Sequence, residues 1–217
     1  MIRFASVFES LLATYGPPYW WPAEDAFEIM AGALLVQQTS WQSAEGALSQ
    51  LRLNGLLSPT ALAAADIRTI EPLVRSAGFF RSKAARLIRL ANFLIKSGGF
   101  EKLNTASTPE LRAALLQQEG VGPETADVIL LYAFERPVVV VDEYLRRLAQ
   151  RWTASLQPLP DRALRQWVAT EISDVVRLNE FHALVVRLGK DRCSKVPRCT
   201  ACELRLFCRT GRAASNA

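Results

Sequence analysis

EGVGPETADVILLYAF, residues 119–134, places two glycines around a valine between two helix-like runs. Glycine permits positive φ and lets the backbone come close to another molecule. Val121 can pack the turn onto its two helices, and Pro123 suits the first turn of the second helix. This pattern predicts a helix-hairpin-helix over about residues 111–134.

A glycine turn of this kind could bind a phosphate. Several backbone N–H groups would point outward together, and the second helix would add its positive N-terminal end. Such a site holds a DNA phosphate by shape, without reading the base sequence. The candidate DNA-binding residues of the turn are Gly120, Val121, Gly122 and Thr125. A lone Gly-Val-Gly turn could equally join any two helices.

Helical patterns dominate the rest of the chain. Apolar residues of EDAFEIMAGALLV, residues 24–36, recur at helical spacing. Thr39 and Gln42 match a capping box that would open the next helix. Later helices are predicted over 124–134, 143–152, 161–175 and 180–188. PVVVV at 137–141 looks like a strand but has no obvious partner strand, so we interpret it as a short extended connector. The predicted fold class is all-α.

Charge is distributed unevenly along the 217 residues. The formal net charge is +5, yet the segment from Arg187 to the end holds eight Lys and Arg against two Asp and Glu. The rest of the chain therefore sums to −1. A basic tail on a near-neutral body indicates an anionic partner, nucleic acid first and an anionic membrane second, or else a merely solvated tail.

No targeting or membrane segment is evident in the sequence. The opening MIRFASVFES carries an acid early and no sustained apolar run. No stretch approaches the roughly 18 apolar residues that a membrane span needs. We therefore expect a cytoplasmic protein, nucleoid-associated if prokaryotic, whose cysteines are reduced or metal-bound rather than paired.

A second pattern follows the glycine turn. Eighteen residues after Glu124, VVVVDEYLRRL places Asp142 behind an extended apolar run and at the start of a helix. Together the two patterns resemble the helix-hairpin-helix–Gly/Pro–Asp superfamily of DNA base-excision glycosylases, and most of all its endonuclease III family. The similarity extends from about residue 24 to 208 and includes GALLVQQTS and GFFRSKAARL.

This resemblance implies two α-helical lobes, with DNA and a flipped base at the cleft between them. One lobe would be a continuous six-helix block of about 23–133, and the other would join 1–22 to 134–217 and carry the cysteine loop at 193–208. The partner would be double-stranded DNA with a flipped damaged base. The resemblance also implies a monomer that has no membrane partner.

In the family, the aspartate that matches Asp142 is the catalytic carboxylate. Breaking an N-glycosidic bond builds positive charge on the sugar, and a fixed carboxylate nearby can stabilise that charge and orient or deprotonate water. The alternative is a helix N-cap worth about 1 kcal/mol. The two roles are compatible, because capping would fix the carboxylate in place.

Glu124 occupies the position at which the bifunctional family members carry a lysine. That lysine forms a Schiff base with the sugar, whereas a carboxylate cannot form an imine. No lysine lies between Lys102 and Lys190. The resemblance with this departure implies a monofunctional glycosylase, in which water attacks the sugar and AP-lyase activity is weak or absent. Glu124 also has a structural explanation, since an acid in the first turn of a helix gains about 0.3–1 kcal/mol.

The four cysteines form the pattern C-x5-C-x2-C-x5-C. They are Cys193, Cys199, Cys202 and Cys208. Four soft thiolates this close together can surround one metal centre, either zinc or an iron–sulfur cluster. The endonuclease III family uses a similar spacing, one residue longer in the first gap, and the resemblance therefore implies a 4Fe–4S cluster. Within the loop, Arg192, Lys195 and Arg198 are candidate contacts for DNA phosphates.

Tryptophans near the N-terminus bear on which base is removed. Trp20 and Trp21 precede a proline, and Trp41 follows VQQTS. These rings could seal the interface between lobes or stack on an extruded base. The arrangement resembles the 3-methyladenine glycosylase branch, which has a similar Trp-Trp-Pro and a pocket aromatic at the place of Trp41. Alkylated purines are cationic, and an aromatic site attracts a cation by about 1–2 kcal/mol.

Two further assignments rest on the same resemblance. Lys190 matches a lysine near the pocket of that branch, with a phosphate contact as the alternative. Gln37 aligns with a residue that fills the gap left by the flipped base, with a buried helix-end glutamine as the alternative. His182, the only histidine, has no visible partner in the sequence, and we expect it only to pack its helix.

Three functions remain open. The first is a monofunctional glycosylase for alkylated purines such as 3-methyladenine. The second removes deaminated or oxidised pyrimidines or mismatched bases, which a more polar pocket would suit. The third is a non-catalytic DNA-binding iron–sulfur module, against which the position of Asp142 argues.

Overall fold

The computed structural model describes residues 3–18, 21, 23, 25–153 and 157–215. Within these ranges all regular structure is helical and no strand occurs, so the predicted all-α class is confirmed. The chain divides into two compact units. We call Met1–Trp20 with Pro137–Ala217 the cysteine unit, and Trp21–Arg136 the hairpin unit. Within the described residues, every helix is too short or too polar to cross a bilayer.

The described residues form thirteen α-helices. In chain order they are α1 (Phe4–Tyr15), α2 (Ala26–Leu35), α3 (Trp41–Leu53), α4 (Pro59–Ala64), α5 (Ile67–Leu73), α6 (Phe80–Lys96), α7 (Gly99–Asn104), α8 (Thr108–Leu116), α9 (Pro123–Tyr132), α10 (Glu143–Thr153), α11 (Asp161–Glu171), α12 (Val175–Asp191) and α13 (Arg209–Ser215). Short 3-10 helices lie at Arg75–Ala77 and Cys199–Ala201. Helices α2 to α9 belong to the hairpin unit, and the other five belong to the cysteine unit.

Serine and aspartate side chains begin most helices of the hairpin unit. Asp25 accepts the Glu28 N–H at 2.8 Å at the start of α2. At α8, Ser107 and Glu110 form a full capping box. These caps satisfy N–H groups that have no acceptor within the helix, and each contributes about 1 kcal/mol.

The capping box predicted from Thr39 and Gln42 is wrong. Ser40 is the N-cap of α3, and its hydroxyl accepts the Ser43 N–H at 3.2 Å. Thr39 instead belongs to the turn after α2, where its N–H donates to the Val36 carbonyl at 3.2 Å. The helix therefore starts one residue later than a Thr39 cap would require.

The core of the hairpin unit forms around α6, which packs against α2, α4 and α5. The apolar side chains on its inner face are fully or almost fully buried: Ala84, Leu87, Leu90, Ala91 and Leu94. Their spacing is the helical one that the sequence shows. Each buried leucine contributes about 1.5–3 kcal/mol.

The core of the cysteine unit forms around α12, which packs against α1 and α10. The ring of Phe181 meets Phe4 and Phe8 edge-on, with centroids 6.0 and 6.5 Å apart. Phe4 also meets Trp167 of α11 at 5.0 Å. These aromatic contacts hold α12, and with it the residues that α12 carries.

The connector before α10 belongs to no helix or strand, as its interpretation from the sequence requires. Val139, Val140 and Val141 are buried, so the backbone carbonyls there need internal donors. Arg165 Nη1 donates to the Val139 carbonyl at 2.7 Å, and Arg146 Nη2 donates to the Val141 carbonyl at 3.0 Å. Two arginines therefore hold the segment that leads to Asp142.

Candidate active site and nucleic-acid interface

The glycine turn takes up residues 117–122, between the end of α8 and the start of α9. Gly120 has φ +88°, in the left-handed region that favours glycine. Val121 is buried, and its N–H donates to the Gln118 carbonyl at 3.0 Å. The predicted helix-hairpin-helix is therefore present, with the valine packed inward.

The two glycines of the turn meet different surroundings. At Gly120, a Cβ would overlap the side chain of Arg86. At Gly122, φ is −85° and a Cβ would meet nothing within 4 Å. The packing of the unit requires glycine at position 120, whereas the space beside Gly122 is open to another molecule.

Gln37 ties the loop after α2 to this turn. Its Nε2 donates to the Gly120 carbonyl and to Thr125 Oγ1, both at 2.9 Å. Its Oε1 accepts from Arg86 Nη1 at 3.0 Å. Both ends of the amide are therefore engaged within the hairpin unit. Sequence analysis did not identify Arg86, because no local pattern relates α6 to the turn.

Lys83 holds the backbone of the same loop. It is 1% exposed, and its Nζ donates to the carbonyls of Leu35, Gln37 and Ala77 at 2.8, 2.8 and 2.6 Å. Three donors thus meet three acceptors, which compensates the buried charge. Burial, and after it the charge of Arg86, lowers the Lys83 pKa. A lysine on the apolar face of α6 was the available sequence signal, and it was missed.

An aromatic cluster brings two of the predicted pocket residues together. The rings of Trp21 and Trp41 have centroids 5.1 Å apart, and Trp21 lies 5.3 Å from Tyr132 of α9 at an interplanar angle of 32°. A Cβ at Gly32 would come within 3.3 Å of the Trp21 indole, so α2 approaches this ring closely. Sequence analysis missed Tyr132. Trp20, the remaining predicted tryptophan, lies outside the described residues.

Phe79, just before α6, is an aromatic residue held in solvent. It is 68% exposed and its φ is +45°. A non-glycine residue in the left-handed region costs of order 1–3 kcal/mol, and such residues cluster at functional sites. Its carbonyl accepts the Lys83 N–H at 3.0 Å, which fixes the backbone beneath the ring. Sequence analysis quoted the surrounding motif without singling out this residue.

Asp142 lies at the N-terminus of α10 in the cysteine unit. It is 5% exposed, and its Oδ1 accepts the Leu145 N–H at 2.7 Å. This contact is the capping geometry that the sequence suggested. It orients the carboxylate with one backbone donor and leaves Oδ2 for other partners.

His182 faces that second oxygen. Its Nε2 lies 3.5 Å from Asp142 Oδ2, and the two side chains are 9% and 7% exposed. The expectation that His182 has no partner is wrong. The residues are forty positions apart, and only the packing of α10 against α12 brings them together.

All four cysteines line one small apolar cavity of the cysteine unit, together with Leu148, Leu188 and Leu204. Burial, and after it nearby negative charge, raises the pKa of Cys202 to about 11. Burial also raises the Cys208 pKa. Among the described residues, no three His, Cys, Asp or Glu side chains are arranged so that they could hold a metal ion.

A cation stands beside one of these sulfurs. Arg151 Nη1 lies 3.1 Å from Cys193 Sγ, and Arg147 Nε donates to the Cys193 carbonyl at 2.8 Å. Hydrogen bonds to sulfur are among the features that tune iron–sulfur clusters. The four sulfurs therefore line one cavity beside a guanidinium, but they are not arranged as a metal site in this structure.

The predicted phosphate contacts of the cysteine loop differ in exposure. Lys195 and Arg198 are exposed, whereas Arg192 is half-buried with its Nε 4.0 Å from Glu203 Oε2. Lys190 is exposed at the end of α12 and belongs to the cysteine unit, so it does not share a unit with the tryptophan cluster. Of the three phosphate contacts predicted for the loop, Lys195 and Arg198 are therefore the two that are exposed to solvent.

Lys195 also borders a basic groove that sequence analysis did not identify. This open depression of about 660 Å³ is lined by Arg146, Arg147 and Arg151 of α10. The three arginines are visible in EYLRRLAQR, but their meeting with Lys195 depends on how the loop packs on α10. The groove adds a positively charged surface to the cysteine unit.

Comparison with known proteins gives the family. Residues 31–168 match the family described as HhH-GPD superfamily base excision DNA repair protein. The chain is 35% identical over 206 residues to a candidate DNA repair glycosylase of Methanocaldococcus jannaschii, with 93% of this chain and 94% of that protein aligned. Endonuclease III of Thermotoga maritima is 25% identical over 188 residues, which align 85% of this chain and 83% of that protein.

Solved structures with the same fold include two of particular relevance. The 3-methyladenine DNA glycosylase of H. pylori, bound to 1,N6-ethenoadenine, has a TM-score of 0.76 and 25% identity, and it covers 87% of this chain and 98% of its own. A non-covalent endonuclease III–DNA complex has a TM-score of 0.82 over 100% of both chains, at 21% identity. The second comparison concerns the fold alone.

The chain therefore belongs to the HhH-GPD superfamily of base excision DNA repair proteins. Within it, this protein is a DNA glycosylase that binds DNA. The resemblance to endonuclease III, drawn from the glycine turn and Asp142, is confirmed, and so is the resemblance to 3-methyladenine glycosylases, drawn from the tryptophans.

Proposed function

We propose that this glycosylase is monofunctional and hydrolyses the N-glycosidic bond of alkylated purines, with 3-methyladenine as the typical base. The observation that carries the proposal is the buried Asp142 carboxylate, oriented by the Leu145 N–H at 2.7 Å. A carboxylate held in this way needs no reorganisation when positive charge develops beside it. The protein would act as a monomer on double-stranded DNA with the damaged base flipped out.

In the proposed reaction, water replaces the base at C1′ of the deoxyribose. The C1′–N bond breaks, its electron pair leaves with the base, and the sugar becomes oxocarbenium-like. The Asp142 carboxylate stabilises that charge. Water oxygen then bonds to C1′, and the proton that water loses passes to the carboxylate. An alkylated purine is already cationic, so its departure needs no further protonation.

The residue at the lysine position of the bifunctional relatives favours water over a Schiff base. Glu124 is exposed in the first turn of α9 at the position where bifunctional relatives carry the lysine. Lys83, also in the hairpin unit, is buried and gives its three donors to carbonyls. A carboxylate cannot form an imine, and an ammonium that is fully engaged in this way is a poor nucleophile.

The aromatic cluster supports the choice of base. Trp21, Trp41 and Tyr132 supply electron-rich faces, which attract a cationic purine by about 1–2 kcal/mol once water is excluded. The solved relative from H. pylori is a 3-methyladenine glycosylase that holds a modified adenine. We assign base recognition to this cluster, with Trp20 as a further member suggested by the sequence.

DNA binding is assigned to both units separately. In the hairpin unit, the open space beside Gly122 lets a phosphate approach the backbone N–H groups that begin α9. Phe79 suits insertion between bases, since glycosylases of this kind must hold an unstacked duplex and apolar wedges stabilise such a step. In the cysteine unit, Lys195 and Arg198 provide charges for phosphates.

We further propose that the four cysteines bind a 4Fe–4S cluster. The shared cavity and the guanidinium of Arg151 beside Cys193 Sγ support a metal centre bound by thiolates, and the cysteine spacing similar to that of the endonuclease III family favours the cluster over zinc. The bound cluster would supply a rigid cross-link for the loop that carries Lys195 and Arg198. Broad visible absorption together with four iron atoms per protein would support the cluster, and colourless protein with one zinc atom would refute it.

The decisive experiment uses a panel of duplexes, each with a single defined lesion. Base release from alkylated purine, with strand cleavage only after alkali, is the expected result. Release from uracil or oxidised pyrimidine, without release from alkylated purine, would favour the second function. No release from any duplex would favour a non-catalytic module. Covalent trapping by borohydride would contradict the monofunctional assignment.

A further inference from the structure

We propose that His182 is a positioning residue, which holds the Asp142 carboxylate in the orientation that base release requires. The inference rests on the catalytic role proposed for Asp142. It concerns a residue of α12 that does not need to touch the DNA, and it assigns a task to the only histidine of the chain.

The two carboxylate oxygens face different helices, and the contact to His182 becomes a second anchor when it shortens. Oδ1 accepts the Leu145 N–H of α10 at 2.7 Å, and Oδ2 lies 3.5 Å from His182 Nε2. One anchor on the helix that carries Asp142 restrains the position of the group. A second anchor on a different helix also restrains rotation of the carboxylate plane. Two anchors on two helices therefore define the direction in which Oδ2 presents its lone pairs.

Burial makes the second anchor necessary. Asp142 is 5% exposed and His182 is 8% exposed, so neither side chain is well hydrated. A buried carboxylate is costly unless donors compensate it, and the His182 imidazole supplies such a donor in the tautomer that carries the hydrogen on Nε2. Because Oδ1 already caps the helix, the donor on His182 acts on the oxygen that remains for the sugar or the attacking water.

In the free protein, His182 Nε2 and Asp142 Oδ2 lie near each other without forming a normal hydrogen bond. At 3.5 Å the two atoms are within ion-pair range but beyond a normal N–H···O hydrogen bond. Catalytic hydrogen bonds are often long in free enzymes and shorten in the complex with substrate. Closing this gap requires a displacement of about half an ångström, which a rotation of the carboxylate can supply.

Three substitutions of His182 distinguish the effect of its N–H donor from the effect of the size of its ring. His182→Gln retains an N–H near the place of Nε2, His182→Asn is polar but too short to reach, and His182→Phe retains the ring without a donor. The base-release rate is measured in single turnover on the alkylated duplex that wild-type protein cleaves fastest. The dissociation constant is measured separately on a duplex with a stable abasic-site analogue.

We expect His182→Asn and His182→Phe to lower the single-turnover rate by about tenfold or more, with the dissociation constant unchanged. His182→Gln should stay within about threefold of wild type, because its donor reaches Asp142 Oδ2. A residue that merely fills space would give another order, with Phe closest to wild type and Gln no better than Asn. That order would overturn the proposal, as would rates within twofold of wild type for all variants. If His182→Phe does not fold, the contrast between Gln and Asn decides.

Asp142→Asn distinguishes failure of this inference from failure of the proposed function. If Asp142→Asn is inactive while the His182 variants retain the wild-type rate, only the role of His182 is lost. If Asp142→Asn retains the wild-type rate, the proposed function itself fails. In the double variant, His182→Asn should cause no further loss beyond Asp142→Asn, since His182 acts through that carboxylate. A further loss would contradict a role through Asp142.

Discussion

The two units hold their functional groups by opposite arrangements of charge. In the hairpin unit, the buried ammonium of Lys83 satisfies three backbone carbonyls and so holds the loop whose Gln37 braces the glycine turn. In the cysteine unit, a backbone N–H orients the carboxylate of Asp142. In the first arrangement, the Lys83 ammonium holds the loop that braces the glycine turn, where we propose that backbone N–H groups bind an anion. In the second arrangement, a backbone N–H orients the side-chain anion that we propose to face the developing positive charge of the sugar.

This difference predicts where substitutions act. Changes in the hairpin unit should alter stability and DNA affinity, because the functional groups there are backbone atoms placed by packing. Changes at Asp142 should alter the rate of base release, because the functional group there is the side chain itself. The expected effects below run from the largest to the smallest.

Asp142→Asn should produce the largest change. We expect the single-turnover rate of base release to fall by about a thousandfold, since the charge that stabilises the sugar is lost. Asparagine is as good an N-cap as aspartate, so the free energy of unfolding should change by less than about 0.5 kcal/mol. Quenched-flow rates and urea titration measure the two quantities. A rate within tenfold of wild type would contradict the proposal that the Asp142 side chain is itself the functional group.

Lys83→Met should act on the fold instead. Three buried carbonyls lose their donor, and we expect the free energy of unfolding to fall by about 3 kcal/mol. DNA affinity should fall with it, while the rate of base release from bound DNA stays near wild type. Lys102→Met, at an exposed position of the same unit, is the matched control and should change stability by less than about 0.5 kcal/mol. Equal effects of the two variants in urea unfolding would refute the role of the buried ammonium.

The two glycines of the turn give a sharper test. Gly120→Ala imposes a side chain at φ +88° against Arg86, and should lower the free energy of unfolding by about 1–2 kcal/mol. Gly122→Ala meets no neighbour within 4 Å and should leave stability nearly unchanged, yet weaken DNA binding by blocking close approach. Thermal unfolding and fluorescence anisotropy separate the two effects. Unchanged DNA affinity in Gly122→Ala would show that no phosphate approaches at this point.

The smallest effect is expected from the cysteine loop. Lys195→Ala and Arg198→Ala should each weaken DNA binding a few-fold and reduce the slope of log affinity against log salt by about one. Arg212→Ala, exposed on α13, is the control and should leave the slope unchanged. Anisotropy titrations at several salt concentrations measure the slopes. Identical slopes for all proteins would remove the loop from the DNA interface.

Much of the fold could be predicted because helices and turns depend on residues close in sequence. The helix predicted over 143–152 is observed at Glu143–Thr153. The helix predicted over 180–188 begins five residues earlier, at Val175, because Asp174 accepts the Arg177 N–H at 3.0 Å and caps it. The sequence pattern places Val175 in the preceding helix, predicted over 161–175, whereas that helix ends at Glu171.

The residues of the candidate site also fall into two groups, those that a local sequence pattern reveals and those that only tertiary packing reveals. Asp142 at a helix start and the cysteine spacing were readable as local patterns, and the glycine turn belongs with them. The partner of Asp142 was not readable, because His182 is forty positions away and offers no periodic signal of its own. Tyr132 was missed for a similar reason, since its ring counts as ordinary core until Trp21 is found 5.3 Å away.

By itself, the sequence determined the order of the helices, the left-handed glycine between α8 and α9, the carboxylate that begins α10 and the spacing of four thiols. Each of these depends on interactions within a few residues. Only the tertiary structure decided that Gln37 meets Gly120 across 83 positions, that Lys83 is buried among carbonyls, and that His182 faces Asp142. Those pairings depend on which helix faces pack together, and packing is settled by the whole core rather than by any one segment.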